Sequence, residues 1–275
     1  MTATQGTASH YTILGATGFV GSHLLRHLRQ TGQACLAPGR DEDPALLGDL
    51  GHVIYCIGLT ADFRQRPLDT VDAHVCVLRR LLAKATFTSL TYLSSTRVYA
   101  NASDTRESAS LLVNPNEAGN LYNLSKLTGE ALCLHGGRPH ARVVRLSNVI
   151  GPRADPDTFI DQLLAEGART GAVHLRTALA SRKDYIHIDD VVALLARIAR
   201  SQQGGILNVA SGQGTSNAEI LEILSREAGY VCTADEDAPA WQFSPIDITR
   251  LQETYGFRPR DFQEYFPSFI QSQSS

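Results

Sequence analysis

The chain has 275 residues, 43% of them hydrophobic, with 25 lysines and arginines against 28 aspartates and glutamates and a formal net charge of -3. That length and apolar content suit one large domain, or one domain with an appendage. The near balance of charge, without any block of like sign, excludes the basic footprint of a nucleic-acid binder and leaves small molecules as the expected partners. Five cysteines, Cys35, Cys56, Cys76, Cys133 and Cys232, are scattered and odd in number, with no close pair to suggest a metal knuckle or a redox motif. They read as reduced core residues of a cytoplasmic protein, and no metal site is expected. Met1 to His10 lacks the basic start and apolar run of a signal peptide, and no later stretch is long enough to span a bilayer, so no membrane partner is expected. Residues 1–10 and 272–275 read as loose tails.

Tyr11 to Leu14 is a short apolar strand running into Gly15-Ala-Thr17-Gly18-Phe19-Val20-Gly21. Gly15 lets the chain turn sharply, Gly18 clears space for a pyrophosphate, and Gly21 allows the next helix to pack closely on the sheet. That helix offers unpaired amides and a positive dipole end to phosphates. The turn therefore reads as a dinucleotide site lined by residues 15 and 17–21, although such a turn can also use glycine for packing alone. Further strands are predicted at Ala34 to Ala37, His52 to Ile57, Ser89 to Ser94 and Ala141 to Leu146, with helices at Gly21 to Gln30, Pro67 to Ala85 and Leu121 to His135. Asp41 to Gly51 is too compressed for a full helix. The alternation argues an α/β fold with a doubly wound parallel sheet covered on both faces. Beyond about Asn148 the pattern is less regular, with helices predicted at Thr158 to Ala168, Val191 to Ser201 and Asn217 to Ala228 in a smaller, mixed C-terminal portion.

A second motif, Tyr122-Asn-Leu-Ser-Lys126, places phenol and ammonium on one helix face at i, i+4. Upstream stands Tyr92-Leu-Ser-Ser95, followed by Thr96-Arg-Val-Tyr99. Downstream come Arg145-Leu-Ser-Asn148-Val-Ile-Gly151-Pro152, Asp184-Tyr-Ile-His187-Ile-Asp189-Asp190-Val191 and Asn208-Val-Ala-Ser211-Gly212. With the glycine turn, these segments resemble in order and spacing the extended short-chain dehydrogenase/reductase superfamily, the branch of nucleotide-sugar epimerases, dehydratases and reductases. The resemblance covers nearly the whole chain. It implies an NAD(P)-binding Rossmann domain at 11–150 and a mainly substrate-binding portion at 151–275, interleaved with it.

Carried over residue by residue, the resemblance makes Tyr122 the general acid/base, Lys126 the cation that lowers the phenol pKa and holds the nicotinamide ribose, and Ser95 the donor to the reacting oxygen. A free phenol titrates at about 10, so it needs nearby positive charge to work near neutrality. Ile57 and Gly58 would line the cofactor flank, or serve ordinary strand packing. Arg40 falls where NADP-using relatives place an arginine, favouring NADP over NAD, whereas Asp41 or Asp43 facing the ribose would favour NAD. Asn148 would contact substrate, and the diphosphate would be met by Lys183, by Arg182 or by neither, with Arg176 a further candidate. Asp189 and Asp190 read as caps of a helix beginning at Val191. His74 stands where the family commonly has Asn and reads as a satisfied helix histidine rather than a catalytic one.

Family dehydratases place Asp and Glu directly after the Ser/Thr position, because elimination needs an extra acid and base. This chain has Thr96 and Arg97 there. The resemblance therefore points to an NADPH-dependent ketoreductase of a nucleotide-linked keto-sugar, or to an epimerase holding NAD tightly. A non-catalytic NAD(P)-binding sensor or scaffold is the reading from another class, and the retained Ser95, Tyr122 and Lys126 argue against it. The resemblance implies a homodimer paired through the leucine-rich helices Thr70 to Ala85 and Leu121 to Leu134, the alternative being that these helices simply pack on the sheet.

Overall fold

The computed structural model describes residues 10–60, 62–153, 158–240 and 243–273. Of the tails expected at 1–10 and 272–275, residues 1–9 and 274–275 lie outside them, as do residues 154–157. Contacts divide the chain into two units: residues 1–94, 115–144 and 192–206 form the first, and residues 95–114, 145–191 and 207–275 the second. The second is nearly as long as the first.

The six-stranded sheet runs in the order β2-β1-β3-β4-β5-β9, where β1 is Tyr11–Leu14, β2 Cys35–Leu36, β3 His52–Tyr55, β4 Ser89–Ser95, β5 Ala141–Leu146 and β9 Gly205–Val209. The pairs β1–β2, β1–β3 and β3–β4 are parallel, with Tyr11 opposite His52 and Leu14 opposite Tyr55. β1, β3 and β5 are buried at every position, as strands covered on both faces must be. β2 is shorter than expected: it is an edge strand with two register partners, and only Ala37 separates it from Pro38 and Gly39. Only a 3-10 turn, Pro44–Leu46, fills the compressed link to β3. Because β2 and β3 lie on opposite sides of β1, strand order reverses there, and the carboxyl ends of β1 and β3 form the switch point at which such sheets bind ligands.

Helix α1 is Phe19–Gln30. The helix expected over 67–85 is broken into α2 (Pro67–Val71), a π turn (Asp72–Cys76) and α3 (Val77–Lys84). A π turn holds one residue more than its hydrogen-bond ladder accommodates. Here the Tyr55 hydroxyl donates to the Ala73 carbonyl at 2.6 Å and the Tyr92 hydroxyl to the His74 carbonyl at 3.2 Å. α3 buries Leu78, Leu81 and Leu82 at helical spacing against Val53, Leu90 and Val143. Helix α4 is Asn120–His135. Gly129 in it faces Tyr92, whose hydroxyl would stand 2.5 Å from any Cβ at that position.

After β5 come β6 (Asn148–Ile150), α5 (Phe159–Thr170), β7 (Ala172–Leu175), β8 (Arg182–His187) and α6 (Ile188–Arg200). The last carbonyls of α6 find donors within the first unit: Tyr11 on Ala196 at 3.0 Å, Ser89 on Ala199 at 2.6 Å, and the buried Arg142 on Ile198 and Ser201. The guanidinium also suits the negative end of the helix. Asp189 and Asp190 do not cap a helix at Val191 as expected. α6 begins at Ile188, both lie inside its first turn, and Arg260 reaches them at 3.1 and 3.0 Å.

In the second unit β10 (Gly214–Ser216) pairs antiparallel with β8, β6 pairs parallel with β8, and β11 (Val231–Ala234) pairs parallel with β7. α5 and α7 (Asn217–Ala228) open on complete capping boxes, Thr158 with Asp161 and Ser216 with Glu219, and close on left-handed Gly171 and Gly229. Their apolar faces meet α9 (Phe262–Gln273), where Phe262 stacks on Phe266 at 4.6 Å. Ser272, expected in a tail, belongs to α9 and donates to the Phe269 carbonyl at 2.7 Å. α8 is Thr249–Tyr255. Of the cysteines only Cys133 is buried; the other four are partly exposed, and all five are free thiols.

Candidate active site

The turn from β1 into α1 is shaped by its glycines. Gly15 has φ +83°, and a Cβ there would stand 2.9 Å from the backbone of Cys56 and Ile57. A Cβ on Gly21 would stand 2.2 Å from the Gly15 carbonyl, whereas one on Gly18 meets nothing nearer than 3.4 Å. Gly15 and Gly21 are thus demanded by the fold itself. Gly18 leaves room at the helix start, where, as glycine at the N-cap, it has no side chain to cap the free amides and no acidic residue occupies the first turn. The amides of Phe19, Val20 and Gly21 precede the first intrahelical bond, from the Ser22 amide to the Gly18 carbonyl. Such a start is built for an anion, so these residues fit the pyrophosphate of a dinucleotide. Thr17 lies in the same turn. Arg40 is exposed in the turn after β2 with no ion pair among the described residues, and Glu42 accepts from the Gly39 amide at 2.6 Å.

Tyr122 and Lys126, on α4, are both buried. The Lys126 ammonium donates to the Leu93 carbonyl at 2.9 Å and lies 5.1 Å from the Tyr92 ring centroid and 5.9 Å from that of Tyr122. Burial pulls its pKa down to about 7, with Glu130 and Cys56 acting against the shift. A Cβ on Gly58, just past β3, would stand 3.3 Å from the Lys126 ammonium and 3.2 Å from His74 Nε2. Tyr122, Lys126 and Gly58 are therefore gathered together, while Ile57 packs against the buried core. His74 is fully buried and both ring nitrogens are partnered, as the sequence suggested.

Within the second unit, Ser95 ends β4 and accepts from the Arg97 amide at 3.2 Å, opening a 3-10 turn, Thr96–Tyr99. That turn is anchored by the Tyr99 hydroxyl, which accepts from Arg145 at 2.7 Å and donates to Asn208 at 2.9 Å. Asn148 is exposed and its side-chain amide donates to the Asp184 carbonyl at 2.8 Å. The Lys183 ammonium lies 4.7 Å from the Phe159 ring centroid, and its pKa is lowered by burial and then by Arg97. Arg182 is held by the Gly214 carbonyl at 2.6 Å and stands 3.5 Å from Glu219. Arg176 is exposed. Among the described residues no group of His, Cys, Asp and Glu could hold a metal ion, and no helix is long and apolar enough to cross a membrane.

Three residues beside Tyr122 and Lys126 escaped the sequence reading. Phe63, 2% exposed, places its ring centroid 5.3 Å from that of Tyr122. Glu130, buried one turn beyond Lys126, accepts from the Ser94 hydroxyl at 2.6 Å. Ser125 accepts from His74. Helical spacing from Tyr122 could have flagged Ser125 and Glu130; nothing local marks Phe63.

A glycine turn at a sheet switch point, with a buried Tyr-x-x-x-Lys pair on the helix after β4, defines a short-chain dehydrogenase/reductase of the extended kind. The chain belongs to the NAD dependent epimerase/dehydratase family, whose model matches residues 11–210, and is an enzyme of the oxidoreductase or epimerase type. It is 30% identical over 282 residues to the GDP-6-deoxy-D-mannose reductase of Pseudomonas aeruginosa, covering 90% of this chain and 91% of the relative. Similar solved structures include MoeE5 in complex with UDP-glucuronic acid and NAD, with TM-score 0.80 and 22% identity over 97% of this chain and 100% of that one. RMD from Pseudomonas aeruginosa complexed with NADPH gives TM-score 0.77 and 24% identity over 96% and 98%.

Proposed function

We propose that the protein is an NADPH-dependent ketoreductase acting on a nucleotide-linked keto-sugar. The carrying observation is the buried Tyr122–Lys126 pair beside Gly58, combined with Thr96 and Arg97, instead of a carboxylic acid and base, after Ser95. That set can pass one proton to one oxygen and lacks the second acid–base pair that elimination requires. In this reading Gly15, Thr17, Gly18, Phe19, Val20 and Gly21 hold the pyrophosphate, and Ile57 and Gly58 flank the nicotinamide end. Arg40 engages a 2′-phosphate, Lys126 grips the ribose, and the bound dinucleotide supplies hydride. Tyr122 would give its phenolic proton to the carbonyl oxygen, the neighbouring ammonium stabilising the phenolate left behind, and Ser95 would donate to the same oxygen. Asn148 and Lys183 bind the sugar nucleotide. The exposed Arg40, with no ion pair among the described residues, and the similarity to a GDP-6-deoxy-D-mannose reductase along nine-tenths of the chain support this choice.

Mass spectrometry of small molecules released from protein purified without added cofactor, with fluorescence titration by NADPH and NADH, tests the reading. An empty site preferring NADPH is expected; near-stoichiometric retained NAD would instead favour the epimerase. Tyr122→Phe should lower turnover of nucleotide-linked keto-sugars by about 10²–10⁴-fold while leaving NADPH affinity within about threefold. An unaffected variant would point to a sensor.

A further inference from the structure

His74 is held from several sides. The Leu59 amide donates to its Nε2 at 3.3 Å, so the ring proton sits on Nδ1, which lies 2.8 Å from Ser125 Oγ. The Ser125 hydroxyl then donates to the Tyr122 carbonyl at 2.8 Å. The imidazole also meets the Tyr122 ring edge-on, centroids 5.3 Å apart with an interplanar angle of 88°. The π turn that presents His74 is pinned by the Tyr92 hydroxyl on the His74 carbonyl. Imidazole and Lys126 ammonium share the space beside Gly58, where a Cβ would stand 3.2 Å from His74 Nε2 and 3.3 Å from the ammonium.

We propose that His74, in its Nδ1-protonated tautomer, is a positioning residue that fixes the Tyr122 ring by edge-on contact and fixes the turn of α4 carrying it through Ser125. The proposal rests on the ketoreductase reading for its catalytic consequence. His74 gives no proton to substrate: its proton is committed to Ser125 and its lone pair to Leu59. Lacking charge, it does not compete with the ammonium beside it.

The test uses the full chain with His74→Leu, His74→Asn and Ser125→Ala. Long-range nitrogen correlation spectra of wild type should show Nδ1 protonated and no titration between about pH 5.5 and 8.5, the span in which an unperturbed imidazole changes charge. An Nε2-protonated or titrating ring overturns the proposal. With ring-labelled tyrosine, assigned by Tyr122→Phe, Tyr122 should flip slowly in wild type and fast in His74→Leu; unchanged flipping overturns it. In turnover, His74→Leu should lose about tenfold or more in kcat with KM and NADPH Kd within about threefold, and His74→Asn, which keeps a donor and an acceptor, should recover most of the loss. Equal kcat in His74→Leu overturns the proposal. Should His74→Leu fail to fold, Ser125→Ala, which removes only the relay, takes its place in both readouts. If wild type reduces no keto-sugar, the ketoreductase reading falls, and the tautomer and ring-flip measurements decide the positioning role by themselves.

Discussion

Lys126 and His74 are buried bases held in different ways. With its pKa pulled down to about 7, Lys126 keeps its ammonium below neutrality and loses it as pH rises. An anionic dinucleotide restores the proton, so NADPH affinity should fall as pH rises above about 7, by at most about tenfold per pH unit. Titrations in buffers of different ionisation heat should show proton uptake in that range, and Lys126→Met should remove both effects. His74, pushed from 6.5 to about 2 by burial and then by Lys126, stays neutral when folded and binds a proton only when unfolded. The unfolded chain therefore binds more protons below about 6.5, and stability is lost as pH falls below that value, by about 1.4 kcal/mol per unit. Urea unfolding between about pH 6.5 and 4.5 should show that loss in wild type and a correspondingly smaller one in His74→Gln. The Tyr-x-x-x-Lys pair was legible in the sequence because a helix brings i and i+4 together from local spacing alone. The Phe63 and Ser94–Glu130 contacts were not, since residues far apart in the chain make them. Lys183 was legible as a charge, but not its place over Phe159.

Among the elements, β1, β5 and α7 match the sequence reading residue for residue. Each is punctuated locally: Gly15 stops β1, and a capping box and a left-handed glycine bound α7. The helix over 67–85 was misread because its π turn keeps an apolar spacing that passes for α-helix. What makes the extra residue tolerable, the Tyr55 and Tyr92 hydroxyls, arrives from two strands of the sheet. α9 carries Pro267 inside an aromatic run and gave no clear helical signal. Tyr92 also links the π turn to α4 through Gly129. Gly129→Ala should force a fully buried ring aside and cost about 1–3 kcal/mol, read as a lower urea midpoint at unchanged slope.

For the molecule as a whole, the doubly wound fold class was legible from alternating strands and helices, and an interleaving of two portions followed from the family resemblance, whereas the points at which the chain crosses from one unit to the other were not legible. Residues 95–114 leave the first unit in mid-domain and 192–206 return to it, and no composition break marks either crossing. A ligand that binds only the folded chain stabilises it by mass action, so NADPH at about 100 times its Kd should add about 2.7 kcal/mol. Differential scanning calorimetry should record a concentration-dependent rise in Tm, larger for NADPH than for NADH; equal shifts would count against Arg40 as a phosphate reader.

The Tyr11 hydroxyl rests on the Ala196 carbonyl, 185 residues further along the chain. During synthesis the first strand thus leaves the ribosome long before the helix end that receives it exists. Until α6 and β9 emerge, the sheet has an open edge and Tyr11, Ser89 and Arg142 lack their acceptors, so a stalled or truncated product ending before residue 206 would be substrate for chaperones and proteases.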